Sequence, residues 1–587
     1  MTSSQMWCPI LACSLAAIFL TALPTAAAHA ADEPAVVAVV AIDPYADLKK
    51  QARWVGGLVD QPQFDGYLES FIMIATQFKG LAGLDVNRPA GVVVTAEGPA
   101  GAPVVRGFVP VKDLGKLLAA LQGLIGPTQE QDGAKVISPP GMPPIQIVEK
   151  DGWAIVSPQG SPAAAGLETA LDPVVKSFTL GVQLFPARMP AGMRKQLAAV
   201  LQQAAAMQAQ QGQPVDPEAL AAGLESLEKI ETLLFGANID VEKERVYLEN
   251  RFSMVPDSAE AALYASAAKA TASVPATATA DGKPAAVSGH ATLAIPEPLR
   301  EAAKAALVQA LPVSSRAVAP GGATMTVTVP EPTNTIFKLL RAAVPAMLDA
   351  GGLDAAITVD TAAAEMAEGR AMPRVTVGMR VKDGPGLEGN LKAAVGANDA
   401  LPAGVTAKFD TGKAGAANLH VVEIDLASLA DKKAVRTLGA KLPIVLGVTP
   451  THAFIAAGGD AQKRIAAAVG GQADPNAKPL AGLDVSLASL VAYAAGTQKF
   501  LSPDDTDGIA MATKAADETA ALPSSLVQVL VRPIERGVAT RLSADAGAIK
   551  VIKTMVMLQS PAPSRPVGVG PAPVPKGRPI PLPGLAP

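Results

Sequence analysis

Apolar residues fall along this chain in two rhythms. Short bursts of strand character, such as VVAVVAID at 36–43, give way to stretches of helical spacing, as where Leu48, Ala52, Val55 and Val59 recur through 45–59. The same succession of strand, Pro-containing turn and amphipathic helix returns in ATMTVTVPEPTNTIFKLLRAAVPAM at 323–347.

The correspondence continues in order. GLDVNRPAGVVVTAEG (83–98) answers GLDAAITVDTAAAE (352–365), and VVRGFVPVKDLGKLLAAL (104–121) answers VTVGMRVKDGPGLEGNLKAAV (375–395). Val111, Lys112 and Asp113 thereby align with Val381, Lys382 and Asp383. IQIVEKDGWAIVSPQG (145–160) reads as a hairpin turning at Glu149 to Gly152, and IVLGVTPTHAFIAAGG (444–459) reads likewise. Each half closes on a last hairpin, in which Arg251, Phe252 and Ser253 line up with Arg541, Leu542 and Ser543.

Strands that come in hairpin pairs between helices predict an α+β class rather than strict β-α-β alternation. The expected organisation is two similar copies of antiparallel or mixed sheets backed by helices, at 31–270 and 322–558. A linker at 271–321 carries a short helix (PLREAAKAALVQAL, 298–311), and a disordered Pro-rich tail occupies 559–587. That tail reads as a spacer. The phrases GFVPVKD and VEKDGWAIV resemble uncharacterised exported bacterial proteins built of strand-and-helix domains of unknown function. The resemblance covers most of the chain after residue 30, and it implies no activity, substrate or site residue.

Residues 1–30 hold no charged side chain; 9–23 are almost wholly apolar, and PTAAAHA follows. Ala28 and Ala30 form an A-x-A cleavage site that would leave Ala31 first, so this segment reads as a signal peptide. Its apolar run is shorter than the ~20 residues a spanning helix needs. The segment MTSSQMW ahead of it lacks the usual Lys or Arg. Cutting at Cys13 as in a lipoprotein would leave too little apolar core. Export to the periplasm, cell envelope or exterior is expected, with no transmembrane anchor after cleavage.

Cys8 and Cys13 both lie in that peptide, so disulfides, thiolate metal sites and a cysteine nucleophile are excluded from the remainder. The formal charge is −4 with Lys and Arg scattered; the densest group, Lys432, Lys433 and Arg436, sits beside Asp431 as on a solvated helix face, and nucleic acid is not an expected partner. Aromatics at 4% give little material for a stacking platform.

Candidate chemistry is sparse. His420, Glu423 and Asp425 in NLHVVEID, with His452, form the most suggestive metal set, but alternation puts His420 on the face opposite Glu423 and Asp425. Ser-x-x-Lys occurs at Ser226–Lys229 and Ser266–Lys269, without the companion motifs of penicillin-binding enzymes. Asp504, Asp505 and Asp507 look like a calcium loop, yet Pro503 and Lys514 occupy its first and last ligand positions, so a helix N-cap is the plainer reading. No catalytic, cofactor or metal residue is assigned, and no cofactor is expected. The expected function is that of a non-catalytic exported envelope protein, a scaffold or protein-interaction module with a protein partner. Two alternatives stay open: a carrier or sensor of an apolar small ligand in a cleft between the copies, and a hydrolase with an unrecognised site.

Overall fold

The computed structural model describes residues 35–559, apart from 98–100, 139–142, 163–165, 211–225, 271, 276–284, 298–299, 302–303, 305–314, 319–323, 328–344, 362–371, 397–403, 430–434, 436–438 and 472–479. The expected signal peptide with Ala28, Ala30 and Ala31, the tail beyond 559, Lys432, Lys433 and Arg436, and most of the helix expected at 298–311 lie outside the described residues.

The strands are β1 (Ala35–Ile42), β2 (Ala90–Glu97), β3 (Ala102–Pro110), β4 (Gln129–Gln131), β5 (Ala134–Ile137), β6 (Ile145–Lys150), β7 (Trp153–Pro158), β8 (Leu180–Leu184), β9 (Ile230–Asp240) and β10 (Arg245–Met254). They continue as β11 (Val287–Ala294), β12 (Ser315–Val318), β13 (Thr324–Val327), β14 (Gly352–Asp360), β15 (Arg374–Arg380), β16 (Val405–Ala414), β17 (Ala417–Asp425), β18 (Lys441–Val448), β19 (His452–Ala457), β20 (Ala481–Ser486), β21 (Leu526–Ile534) and β22 (Gly537–Asp545). The longer helices are α1 (Tyr45–Leu58), α2 (Phe64–Ala75), α3 (Leu114–Ile125), α4 (Ala191–Gln210), α5 (Ala259–Ala267), α6 (Gly384–Gly396), α7 (Ala461–Gly470), α8 (Leu487–Leu501), α9 (Thr506–Ala520) and α10 (Ala546–Gln559).

Twenty strands form one antiparallel sheet, so the class is α+β, while β12 and β13 make a separate ribbon. The sheet has a seam where β10 pairs with β22. From the seam outwards the order on one side is β10, β9, β8, β1, β2, β3, β7, β6, β5, β4. On the other side it is β22, β21, β20, β11, β14, β15, β19, β18, β17, β16. Every strand pairing among the described residues is antiparallel, so of the two expected alternatives the sheet is the antiparallel one.

The sequence reading differs from this arrangement around residues 271–327. The stretch read as a linker, 271–321, contains β11, which is seated between β20 and β14, whereas β13, the expected opening strand of the second copy, pairs among the described residues only with β12. VSGHATLA has poor strand propensity, and backbone pairing on both sides overrides it.

Local chemistry explains the well-read elements. β1 is an unbroken apolar run because both of its faces are covered: Val39 and Ala41 join one core cluster, Val37 and Ala38 another. The β6–β7 hairpin turns at Asp151 and Gly152, both with positive φ, the backbone a tight two-residue turn demands. Asp113 caps α3 by accepting from Lys116 N at 2.9 Å, and Asp383 caps α6 by accepting from Gly386 N at 2.9 Å.

The core nearest the seam gathers Val93, Phe108, Trp153, Leu171, Val174 and Phe178 around β1. Phe178 sits over Gly236 of β9, where a Cβ would lie 2.1 Å from its ring. No helix among the described residues is long and apolar enough to cross a membrane.

Candidate functional site

Three polar clusters stand out from the apolar layers. The first forms around His420 on β17. As alternation requires, Glu423 and Asp425 are not with it: Glu423 pairs with Lys441 at 2.8 Å, and Asp425 accepts from Ala427 N at 3.0 Å. His420 instead meets Glu388 from α6 and Asp410 from β16, whose candidate ligand atoms lie within 4.8 Å of one another. Sequence separation hid this set, since its members come from three different elements.

The ring is 1% exposed. Its Nδ1 accepts from Asp410 N at 3.1 Å, so the proton of the neutral ring sits on Nε2, 3.6 Å from Glu388 Oε1. Lys392 Nζ lies 2.6 Å from Glu388 and 2.9 Å from Asp410. A cation is thus built in between the two carboxylates, Nδ1 is engaged by Asp410 N, and Nε2 has no hydrogen-bond partner among the described residues. Burial drives the His420 pKa down, against the opposing pull of Glu388. Burial alone would raise Glu388, but hydrogen bonds from Lys392 and Asn418 outweigh it and lower the carboxyl. This is a charge network that ties α6 to the sheet.

The second cluster lies beside a cleft lined by Pro275, Ala416, Thr449, Phe454, Ala468 and Val469. Ser273 donates both its amide (2.7 Å) and its hydroxyl (2.6 Å) to buried Asp354, and its Oγ is 3.3 Å from His452 Nε2. The other ring nitrogen, Nδ1, is 3.0 Å from Thr451 Oγ1. A hydrolytic triad has the carboxylate orienting the imidazole and the serine facing the ring alone. Here the carboxylate holds the serine, and the serine amide is not free to bind an oxyanion. The arrangement pins the segment after α5 onto β14. Burial lowers the His452 pKa, with Asp354 opposing.

The remaining sequence candidates resolve into structure. Lys229 pairs with Glu260 at 2.6 Å rather than with Ser226, and α5 ends at Ala267, before the Lys269 that follows Ser266. Asp505 is the N-cap of α9, accepting from Gly508 N at 2.9 Å; Asp507 lies in the first turn of that helix.

The third cluster is at the seam and was only half visible in sequence, where Arg251 and Arg541 align but nothing marks their partner. Glu249 lies opposite Gly236 on β9 and Arg541 on β22, with its side chain fully buried. Arg251 and Arg541 both donate through Nε to its oxygens, and Arg532 of β21 approaches at 3.2 Å and 3.4 Å. Arg541 stacks over Tyr247 at 4.2 Å and Arg251 over Phe178 at 5.2 Å. Burial would raise the Glu249 carboxyl, but the hydrogen bonds from Arg251 and Arg541 prevail and lower it.

No protein-family model, curated protein or solved structure matches the chain.

Proposed function

We propose that this chain is a non-catalytic, exported protein of the cell envelope that serves as a scaffold for a protein partner. One observation carries the reading: the two halves share a single sheet, joined by nine cross-strand residue pairs from Arg245↔Asp545 to Ser253↔Gly537. Ion pairs across the same seam, Glu249 with Arg541 and Glu231 with Arg536, add to it, as does Lys553 of α10 with Asp60 beyond α1. A hinge at the seam would break a backbone ladder, so the halves present their surfaces at a fixed spacing. Around Ser273 the amide and hydroxyl are both engaged by Asp354, and around His420 Lys392 bridges Glu388 and Asp410, which favours architecture over catalysis.

We further infer that the halves are two copies of one unit. Support comes from the equal strand order on the two sides of the seam and from matched details. Val111 N donates to Gly152 O and Val381 N to Thr451 O, each at 2.9 Å, and the adjoining Asp113 and Asp383 each cap a helix. On this reading the second copy opens at β11, not at residue 322.

The test is isolation of the full chain from its native envelope after mild cross-linking, followed by reconstitution with the purified partner. A defined stoichiometry in both preparations is expected, with an exported chain that begins at Ala31. Recovery of the chain alone and monomeric overturns the scaffold reading.

A second reading, the binding of a small apolar ligand, is favoured by the cleft beside His452, with Pro275, Ala416, Phe454 and Val469 in its wall. Native mass spectrometry of protein taken from its own envelope decides it. A bound small molecule is expected, and apo protein alone removes the reading.

A further inference from the structure

We propose that the seam binds a dianionic oxyanion of the phosphate class, held by the guanidinium groups of Arg251, Arg532 and Arg541. The inference rests on an imbalance. Three arginines converge on one carboxylate, Glu249, and arginine stays charged at all ordinary pH, so the cluster carries a surplus of two positive charges. Of the nearby carboxylates, Glu231 is paired with Arg536 at 2.9 Å, and Asp484, which accepts from the neutral amide of Gln528 at 2.8 Å and so keeps its charge, stands on β20, outside the group that contacts Glu249.

The donors are available. A guanidinium has five N–H groups. Arg251 and Arg541 use Nε on Glu249, and Arg532 uses Nη2; their other terminal nitrogens make no further hydrogen bond among the described residues. Arg532 Nε is buried and has no hydrogen-bond partner. The Glu249 side chain is 0% exposed, whereas those of Arg251, Arg532 and Arg541 are 28%, 39% and 25% exposed. The carboxylate therefore anchors the arginines from within, and part of each arginine side chain reaches solvent.

The cluster is also held in place before any ligand arrives. Phe178 and Tyr247 lie under two of the guanidinium groups, and the Tyr247 hydroxyl is fixed by donating to Ser177 O at 3.0 Å. Such bracing lowers the ordering cost of binding. Planar, charged forks of this kind match the oxygens of phosphate. A surplus of two charges matches a dianion better than a monocarboxylate. One arginine already balances one glutamate.

The experiment compares thermal unfolding and calorimetric titration of the full chain in inorganic phosphate, acetate and chloride at equal ionic strength. A saturable rise in Tm with phosphate alone is expected, as for any ligand that binds only the folded state. Arg532→Gln, which removes the group with the longest contacts to Glu249, should keep the circular dichroism spectrum and weaken phosphate binding by about tenfold, the scale of one lost charge-assisted contact. Glu249→Gln removes the competing negative charge; this variant should melt lower yet bind phosphate more tightly. A structural network alone would not produce that opposition. Equal effects of phosphate and chloride, equal effects of phosphate and acetate, or wild-type phosphate affinity in both variants would each overturn the proposal.

Discussion

Glu249 of β10 lies directly across the seam from Arg541 of β22, and the two are joined in register and by a side-chain ion pair. The pair links residues 292 positions apart through a carboxylate that has no contact with solvent.

Removing that carboxylate leaves three arginines without their counter-ion. Glu249→Leu should lower the stability of the full chain by about 3 kcal/mol, the usual result of breaking one side of a buried pair. Urea unfolding measures it. A loss below ~1 kcal/mol would mean that the arginines find other partners.

Acid should weaken the fold in two steps. Burial lowers the pKa of His420 and His452, so the unfolded chain binds more protons than the folded one once pH drops below the ordinary histidine value of ~6.5. Stability then declines as pH falls through that window. The carboxyls of Glu249 and Glu388 are also lowered, so their contribution is present above the ordinary glutamate value of ~4.3 and is lost as pH falls through their folded values. Tm recorded from pH 8 to pH 3 should show both declines, and the double variant His420→Asn/His452→Gln should flatten the upper one.

Gly236→Ala is expected to destabilise by about 1–3 kcal/mol, because the added methyl runs into the ring of Phe178 and forces the core nearest the seam to repack. Near-ultraviolet circular dichroism and chemical unfolding report it together. An unchanged unfolding midpoint would show that Phe178 can step aside.

Asp113→Ala and Asp383→Ala each remove a helix N-cap and should cost about 1 kcal/mol. Their positions in different halves predict additivity in the double variant. A coupling beyond ~0.5 kcal/mol, read from the double-mutant cycle, would reveal communication through the sheet.

What the sequence disclosed follows from where the signal was local. The hairpins β6–β7 and β18–β19, and strands β3 and β15 with their capped helices, were legible because alternation, Asp–Gly turns and N-caps act within a few residues. β11 was not, since a Gly, a His and a Thr dilute its apolar content and only its neighbours in the sheet make it a strand. Alternation along β17 correctly separated His420 from Glu423 and Asp425 but gave no hint of Glu388 or Lys392, whose positions depend on how α6 docks. The alignment of Arg251 with Arg541 picked out two residues of the seam without showing that their hairpins pair, and the glutamate between them emerged only from strand register.

The seam also sets an order of assembly. β10 is finished early in synthesis, but its partner β22 is among the last elements made, so through roughly 15–60 seconds of elongation at ordinary rates β10 is an open strand edge. An unpaired edge of ten residues is a template for any strand that meets it, including β22 of a neighbouring molecule. Such an exchange would use the same nine pairs and the same Glu249–Arg541 contact, and would yield a dimer that the native register itself cannot discriminate against. The feature that makes the finished molecule rigid is thus also the one that makes its unfinished form dependent on being kept apart from its own kind.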